Sequence, residues 1–498
     1  MATAADHADL VIRNTRLIDG SGAPSVTGDI AVGDDRILGI GDLGETKGAV
    51  EIDGRGRAVA PGFIDVHTHD DRALLADPEM ACKASQGVTT VVTGNCGISL
   101  APLDVAAGAL VPPFDLIAEV PAQAFAEFGD YLAALDGAPP ALNAVCQVGH
   151  STLRVGAMDR LDRAADRGEV AAMRRALERA LDAGAAGLST GLFYAPASAA
   201  PTEEVVALAE VLRDRGAIHT THMRDEGDQV AESLAETFRI GAEAGVPVVI
   251  SHHKVIAAPN HGRTRETLAL IEAARARQPV ALDVYPYVAG STILDPKRML
   301  GASRVLVTWS KARPDCAGRD LDEIADEMGC DPDEAARRLQ PAGAIYFMMD
   351  EADVRRVLAS PAAMIGSDGL PHDAHPHPRL WGTFPRVLGH YARDLGLFSL
   401  EDAVHRMTGL PAAQFGLVGR GALSPGACAD LVMFDPETVI DRATYENPTR
   451  TAAGIDLVMV NGRAVWRGGA VTGARPGRAL RLRDLGPKGV VPNSSDGR

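Results

Sequence analysis

Eight short apolar runs, spaced by stretches of helical periodicity, occupy the middle of the chain, and this alternation limits its fold more than any other feature. The runs are FIDVH (63–67), VTTVVTG (88–94), NAVCQVG (143–149), AAGLSTG (185–191), AIHTTH (217–222), PVVISH (247–252), VALDVY (280–285) and AAMIGSD (362–368). Helical patterns lie between several of them, at 169–184, 203–216 and 229–245. Alternation of this kind builds parallel sheets, and eight strands suit an α/β fold of the (β/α)8 TIM-barrel type over 61–414. About 75 residues separate the last two runs, far more than an ordinary connection. This insert, about 287–361, contains helical segments (LDEIADEMG, DEAARRL) and reads as a lid or pocket wall, or as a surface embellishment.

The two ends of the chain have a different texture. Residues 8–60 and 428–470 alternate apolar and polar positions between Gly, Asp and Asn turns. Together the ends, 1–60 and 415–485, are expected to build one small β-sandwich, leaving 486–498 as a tail. The formal net charge of −17 argues against nucleic acid or an anionic membrane as partner, since both need a basic footprint. A small-molecule substrate, anionic ones included, remains open, because a pocket can be locally positive. No run approaches the ~20 apolar residues of a membrane span. MATAADHADLVIRN lacks a basic stretch followed by an apolar one, and the six cysteines are scattered, so the cytoplasm is the expected location.

Polar residues gather at the ends of the apolar runs. His67 and His69 follow the first run two positions apart, so an extended segment places both imidazoles on one side, able to share a divalent metal. Cys96 follows the second run, His222 ends the fifth, His252 the sixth and Asp368 the eighth. In a barrel these positions converge on the C-terminal mouth, where barrel enzymes do their chemistry. A buried free cysteine, a capping histidine or a turn aspartate is ordinary singly; six together at strand ends point to a site. There is no GxSxG elbow to support serine-hydrolase chemistry.

VAPGFIDVHTHDD, the strand-end His222 and His252, and IGSDG resemble the metal-dependent amidohydrolase superfamily. Within it, TGNCG, ISHHK, DVYPYVAGS and GSDGLPHDAHPHPRLWGTFPRVLG look like the N-acyl-D-amino-acid deacylases, or D-aminoacylases. The resemblance implies a barrel joined to a β-sandwich from both chain ends, and hydrolysis of a linear amide to a carboxylate and a free D-amino acid. It also implies a tight Zn2+ site from Cys96, His222 and His252, with a second, weaker site from His67, His69 and Asp368. Many superfamily members bridge two metals with a carboxylated lysine; no strand-end lysine matches here, and Cys96 stands at the corresponding place.

Asp368 is the candidate to take a proton from water and pass it to the leaving amine. The substrate's α-carboxylate calls for cations: Arg379 can grip it bidentately and Lys254 can add a point charge, the lesser alternative for Arg379 being a structural loop salt bridge. The resemblance adds Tyr285, Ser291 and Tyr194 as substrate contacts, and Phe193, Leu300, Tyr346 and Met349 as the side-chain pocket. Their apolar character favours D-Met, D-Leu or D-Phe. Lys297 and Arg298, close to Leu300, keep an N-acyl-D-glutamate or D-aspartate deacylase open. A cyclic-amide hydrolase of the hydantoinase or dihydroorotase kind is disfavoured by the missing lysine, Cys96 and the Arg379 loop. Asp65 reads as a buried structural carboxylate, and His372, His375 and His377 as loop residues.

Overall fold

The computed structural model describes residues 7–103, 111–118 and 123–489. Each of the eight apolar runs contains a parallel strand. Phe63–Asp65, Val88–Thr93 and Asn143–Cys146 form one parallel sheet, paired in that order. Val148–Gly149, Gly187–Gly191, Ile218–His222, Val248–Ile250, Val280–Val284 and Ala363–Ile365 form a second, also in chain order. Only Gln147 separates Cys146 from Val148, and at the other seam Thr68 bridges Gly369 in the parallel sense.

One apolar core follows from this arrangement. Ile64, Val66, Val92, Val145, Ala186, Ile218, Val249, Ala281 and Met364 pack together with Leu410 and Phe415. The strands are nearly free of charge because they are covered on both faces. The candidate metal-binding residues His67, His69, Cys96, His222, His252 and Asp368 fall at or just past the C-terminal ends, where the ladders stop. Helices cover the outside; Arg167–Ala183 begins with a capping box of Asp166 and Glu169 and buries Met173, Leu177, Ala180 and Leu181, a single stripe at helical spacing.

Both chain ends enter one nine-stranded sheet. Ala58–Pro61 pairs in parallel with the end of His7–Leu17 and antiparallel with Leu431–Phe434, which joins the two halves. This sheet has its own core, including Leu10, Ile12, Ile30, Val59, Leu431 and Leu457. Residues 486–489, expected in a tail, are packed instead: Gly486 N donates to Gly416 O (2.8 Å), and Leu485 lies against the core of the parallel strands. The rest of the expected tail, 490–498, lies outside the described residues.

The long excursion before the last parallel strand holds the two expected helices, Leu321–Met328 and Pro332–Arg338. It also holds an antiparallel sheet of Ala289–Ile293, Arg304–Ser310 and Ala342–Phe347, which periodicity did not suggest because AGSTI is short and weakly apolar. Helix Glu351–Ala359 packs on Thr264–Arg275 and feeds the last parallel strand directly, so the excursion closes near residue 350 rather than 361. No described helix is long and apolar enough to cross a membrane.

A buried charge cluster ties two of the outer helices together. Glu204 contacts His150 Nε2 (3.0 Å) and the guanidinium of Arg154, and all three are buried. Burial works to raise the Glu204 carboxyl, but His150 and Arg154 outweigh it and hold it at about 2, against an ordinary 4.5. A carboxyl depressed on folding stabilises the fold above its unfolded pKa and loses that contribution as pH falls toward the folded value. Wild-type stability should therefore fall between about pH 4.5 and 2, and Glu204→Gln should flatten that limb. Urea denaturation across the window checks this; equal acid slopes would contradict it.

Candidate metal centre and active site

Two overlapping clusters form where the parallel strands end. Cys96, His222 and His252 make one; His67, His69, Cys96 and Asp368 make the other, with candidate ligand atoms within 4.8 Å of one another in each. The Cys96 Sγ lies 3.3 Å from His67 Nε2 and 3.4 Å from His252 Nε2, so the thiol belongs to both. His252 Nε2 is 2.9 Å from His222 Nδ1, and Asp368 Oδ1 is 3.2 Å from His69 Nε2. Cys96, His252 and Asp368 have φ of +53°, +37° and +51°. Non-glycine residues pay roughly 1–3 kcal/mol for such conformations, which persist where the surroundings over-determine them. Gly191 shows how closely: a Cβ there would stand 2.1 Å from the Cys96 carbonyl oxygen.

The donor set suits a divalent ion of borderline softness. A thiol and several imidazoles converge out of water, with His222 Nδ1 and His69 Nε2 turned toward the other donors. The electrostatics agree. Burial would raise the Cys96 thiol, but His67 and His252 outweigh it and draw it well below its usual range. Burial would lower His69, yet Asp368 and Cys96 lift it to about 9. The buried anions thus demand positive charge at this point, which a metal supplies.

Beside the clusters opens a cavity of about 310 Å³. Phe193, Tyr194, Lys254, Tyr285, Ser291, Leu300 and Tyr346 line it, with His69, His222, His252 and Asp368. Met349 does not: it faces a small crevice behind, with His253 and Tyr287, while Met348 lines the cavity. Side chains alternate beyond strand Ala342–Phe347, so 346 and 348 share a side and 349 takes the other. Arg379 is fully buried and also off the cavity wall. Its Nη1 lies 2.8 Å from Asp368 Oδ2 and its Nη2 donates to Ser291 O (3.1 Å). Expected on the substrate, this guanidinium grips Asp368. Burial pushes the Asp368 carboxyl up, but Arg379, His67 and His69 hold it well below the carboxylate range. The loop histidines stay out of the clusters: His375 contacts Tyr445 O (2.7 Å) and His377 contacts Ala289 O (3.0 Å).

Comparison with known proteins places this geometry. The model of the "Amidohydrolase family" matches residues 50–299 and 268–466. The chain belongs to the amidohydrolase family. This amidohydrolase is 59% identical to the D-aminoacylase of Alcaligenes xylosoxydans xylosoxydans over 95% of its own length and 97% of the relative's. A solved D-aminoacylase structure, 57% identical, superimposes with a TM-score of 0.93 over 95% of this chain and all of that one. The N-acyl-D-glutamate deacylase of Bordetella bronchiseptica, solved with zinc and a phosphonate mimic of the tetrahedral intermediate, is 48% identical, with a TM-score of 0.92 over 95% and 100% of the two chains.

Three buried residues that sequence reasoning missed back the centre of this amidohydrolase. Asp283 stands 3.2 Å from His67 Nδ1 and accepts from His252 N (2.8 Å). Glu226 stands 3.1 Å from His252 Nδ1 and 2.6 Å from Lys254 Nζ. Lys83 donates to Asp65 Oδ2 (2.8 Å) and Ser367 Oγ (2.7 Å) and lies 3.4 Å from Asp70. Asp65 in turn accepts from Ser367 N (2.8 Å), so Lys83 joins the strand carrying His67 to the one carrying Asp368. Asp283, at the end of VALDVY, had a strand-end position as its signal; Glu226 and Lys83 had none. Lys83→Met leaves two buried carboxylates without their cation and should cost about 3–5 kcal/mol. Chemical denaturation measures it, and a loss under about 1 kcal/mol, the worth of an exposed pair, would contradict the account.

Proposed function

We propose that this amidohydrolase is a zinc-dependent deacylase of N-acyl-D-amino acids, releasing a carboxylate and a free D-amino acid. The observation that carries the proposal is the placement of His222 and His252, which share a donor cluster with Cys96, on the wall of a cavity whose neighbouring groups suit a carboxylate. In this reading Cys96, His222 and His252 hold the tight zinc, while His67, His69 and Asp368 offer a second, weaker site that shares Cys96. Zinc bound there supplies Lewis acidity, polarising the amide carbonyl and making water acidic enough to attack near neutral pH.

The chain's own groups do the rest. Asp368, kept ionised by Arg379, accepts the proton that the attacking water gives up and returns it to the departing nitrogen. Lys254 and Ser291 sit on the cavity wall, and the buried Tyr285 hydroxyl has no hydrogen-bond partner among the described residues, so it can donate to the α-carboxylate. Arg379 acts one step back, holding Asp368 and the Ser291 backbone. The relatives support the D configuration and the acyl-amino-acid class. The parallel strands are read here as one closed eight-stranded barrel, its seams at Gln147 and at the Thr68–Gly369 bridge. The nine-stranded sheet is read as the sandwich, and the excursion before residue 350 as the cavity wall that carries Ser291, Leu300 and Tyr346.

Phe193, Leu300, Tyr346 and Met348 favour a neutral, apolar side chain. One observation favours an acidic one: the Arg298 guanidinium lies 3.8 Å over the Phe193 ring, at the cavity, and pairs with no carboxylate among the described residues. Hydrolysis of N-acetyl-methionine and N-acetyl-glutamate, each as D and L enantiomers, separates these readings, with hydantoin as the cyclic control. Cleavage of D-methionine above the other three is expected; preference for D-glutamate would make Arg298 the side-chain anchor, and cleavage of none would overturn the proposal. Asp368→Ala should lower turnover by about 10²–10⁴-fold; unchanged turnover would remove Asp368 from the proton transfer.

A further inference from the structure

Glu226 lies four residues past His222, beyond the end of its strand, and is 3% exposed. Its Oε1 faces two groups at once, His252 Nδ1 at 3.1 Å and Lys254 Nζ at 2.6 Å, and its Oε2 is 3.6 Å from His222 Nε2. The opposite edge of the His252 ring points Nε2 at Cys96 Sγ (3.4 Å) and His222 Nδ1 (2.9 Å). A neutral imidazole carries one N–H and one lone pair. With the proton on Nδ1, the Nε2 lone pair faces the Cys96 cluster; with the proton on Nε2, His252 has no lone pair to give there.

Lys254 complicates the choice. Its Nζ is also 2.9 Å from His252 Nδ1, and an ammonium at that distance favours a lone pair on Nδ1. The carboxylate and the ammonium therefore call for opposite tautomers of the same ring, and only the carboxylate's choice makes His252 a ligand. Asp283 is placed in the same way behind His67, 3.2 Å from its Nδ1, but no lysine among the described residues competes in that contact.

We propose that Glu226 is the positioning residue that sets His252 for metal binding, by accepting its Nδ1–H, while holding Lys254 Nζ at the cavity wall for the substrate carboxylate. One carboxylate thereby couples the metal site to the substrate site. A hydrogen-bonded acceptor behind a ligating histidine fixes the ring and raises its basicity, and losing one typically costs about 10–100-fold in metal affinity. The inference rests on the reading that Cys96, His222 and His252 hold zinc.

The test is a zinc dissociation constant, measured by chelator competition on wild type, Glu226→Gln, Lys254→Met and the double variant. Glu226→Gln should weaken zinc by about 10–100-fold, and by a similar factor in the Lys254→Met background. Lys254→Met alone should bind zinc at least as tightly as wild type, because the competing donor is gone. If the double variant regains wild-type affinity, the loss came only from an unpaired buried lysine, and the proposal falls. Equal affinity in Glu226→Gln and wild type overturns it as well. Failure of wild type itself to bind zinc would instead overturn the metal reading beneath it. Should Glu226→Gln not fold, Glu226→Asp serves in its place, since the shorter side chain draws the carboxylate back from Nδ1.

Discussion

A buried thiol between two imidazoles is the interaction on which the rest of this structure depends. Cys96 is 2% exposed and shared by both candidate metal clusters. A thiolate there is tolerable only if positive charge surrounds it, because an isolated buried ion is costly. The charges next to it follow the same rule outward: Asp283 behind His67, Glu226 between His252 and Lys254, Arg379 on Asp368, and Lys83 on Asp65. Each of these four anions meets a cation or an N–H. The left-handed backbone at Cys96, His252 and Asp368 belongs to this network, turning three side chains off their strands toward one point.

The surrounding architecture keeps that point dry and gives it a specific opening. The parallel strands present their polar ends together, while the antiparallel sheet before residue 350 and the loop after Gly191 close the cavity from two sides. Tyr194 and Thr292 meet across it through their hydroxyls at 3.1 Å, and Arg298 lies over Phe193 and Tyr194. Ser291, Leu300 and Tyr346 of the excursion line this cavity. Arg379 is fully buried, and its guanidinium, 2.8 Å from Asp368 Oδ2, helps hold that carboxyl well below the carboxylate range.

Much of this was legible in the sequence, for identifiable reasons. The strand and helix periods are distinct, so the eight parallel strands could be located, and polar residues at strand ends stand out against apolar runs. That is why His67, His69, Cys96, His222, His252 and Asp368 stand out as one group in the sequence. What escaped depends on tertiary closure. Lys83 sits on a short helix and reaches the site only because Asp65 and Ser367 come together from residues 302 apart. Glu226 follows a strand by four residues, in a loop whose path has no period. Met349 and Met348 differ by one position, and side-chain alternation decides which faces the cavity. The Gly- and Ser-containing strand at Ala289–Ile293 lacks the apolar run that marked the others.

The most direct measurement of where the metal sits is an anomalous difference map collected at the zinc edge from crystals of the zinc-loaded protein. The strongest peak is expected within bonding distance of Cys96 Sγ, with His222 and His252 as its other protein ligands, and a weaker peak, if any, between His67, His69 and Asp368. A principal peak away from Cys96, or none at the strand ends, would contradict this placement.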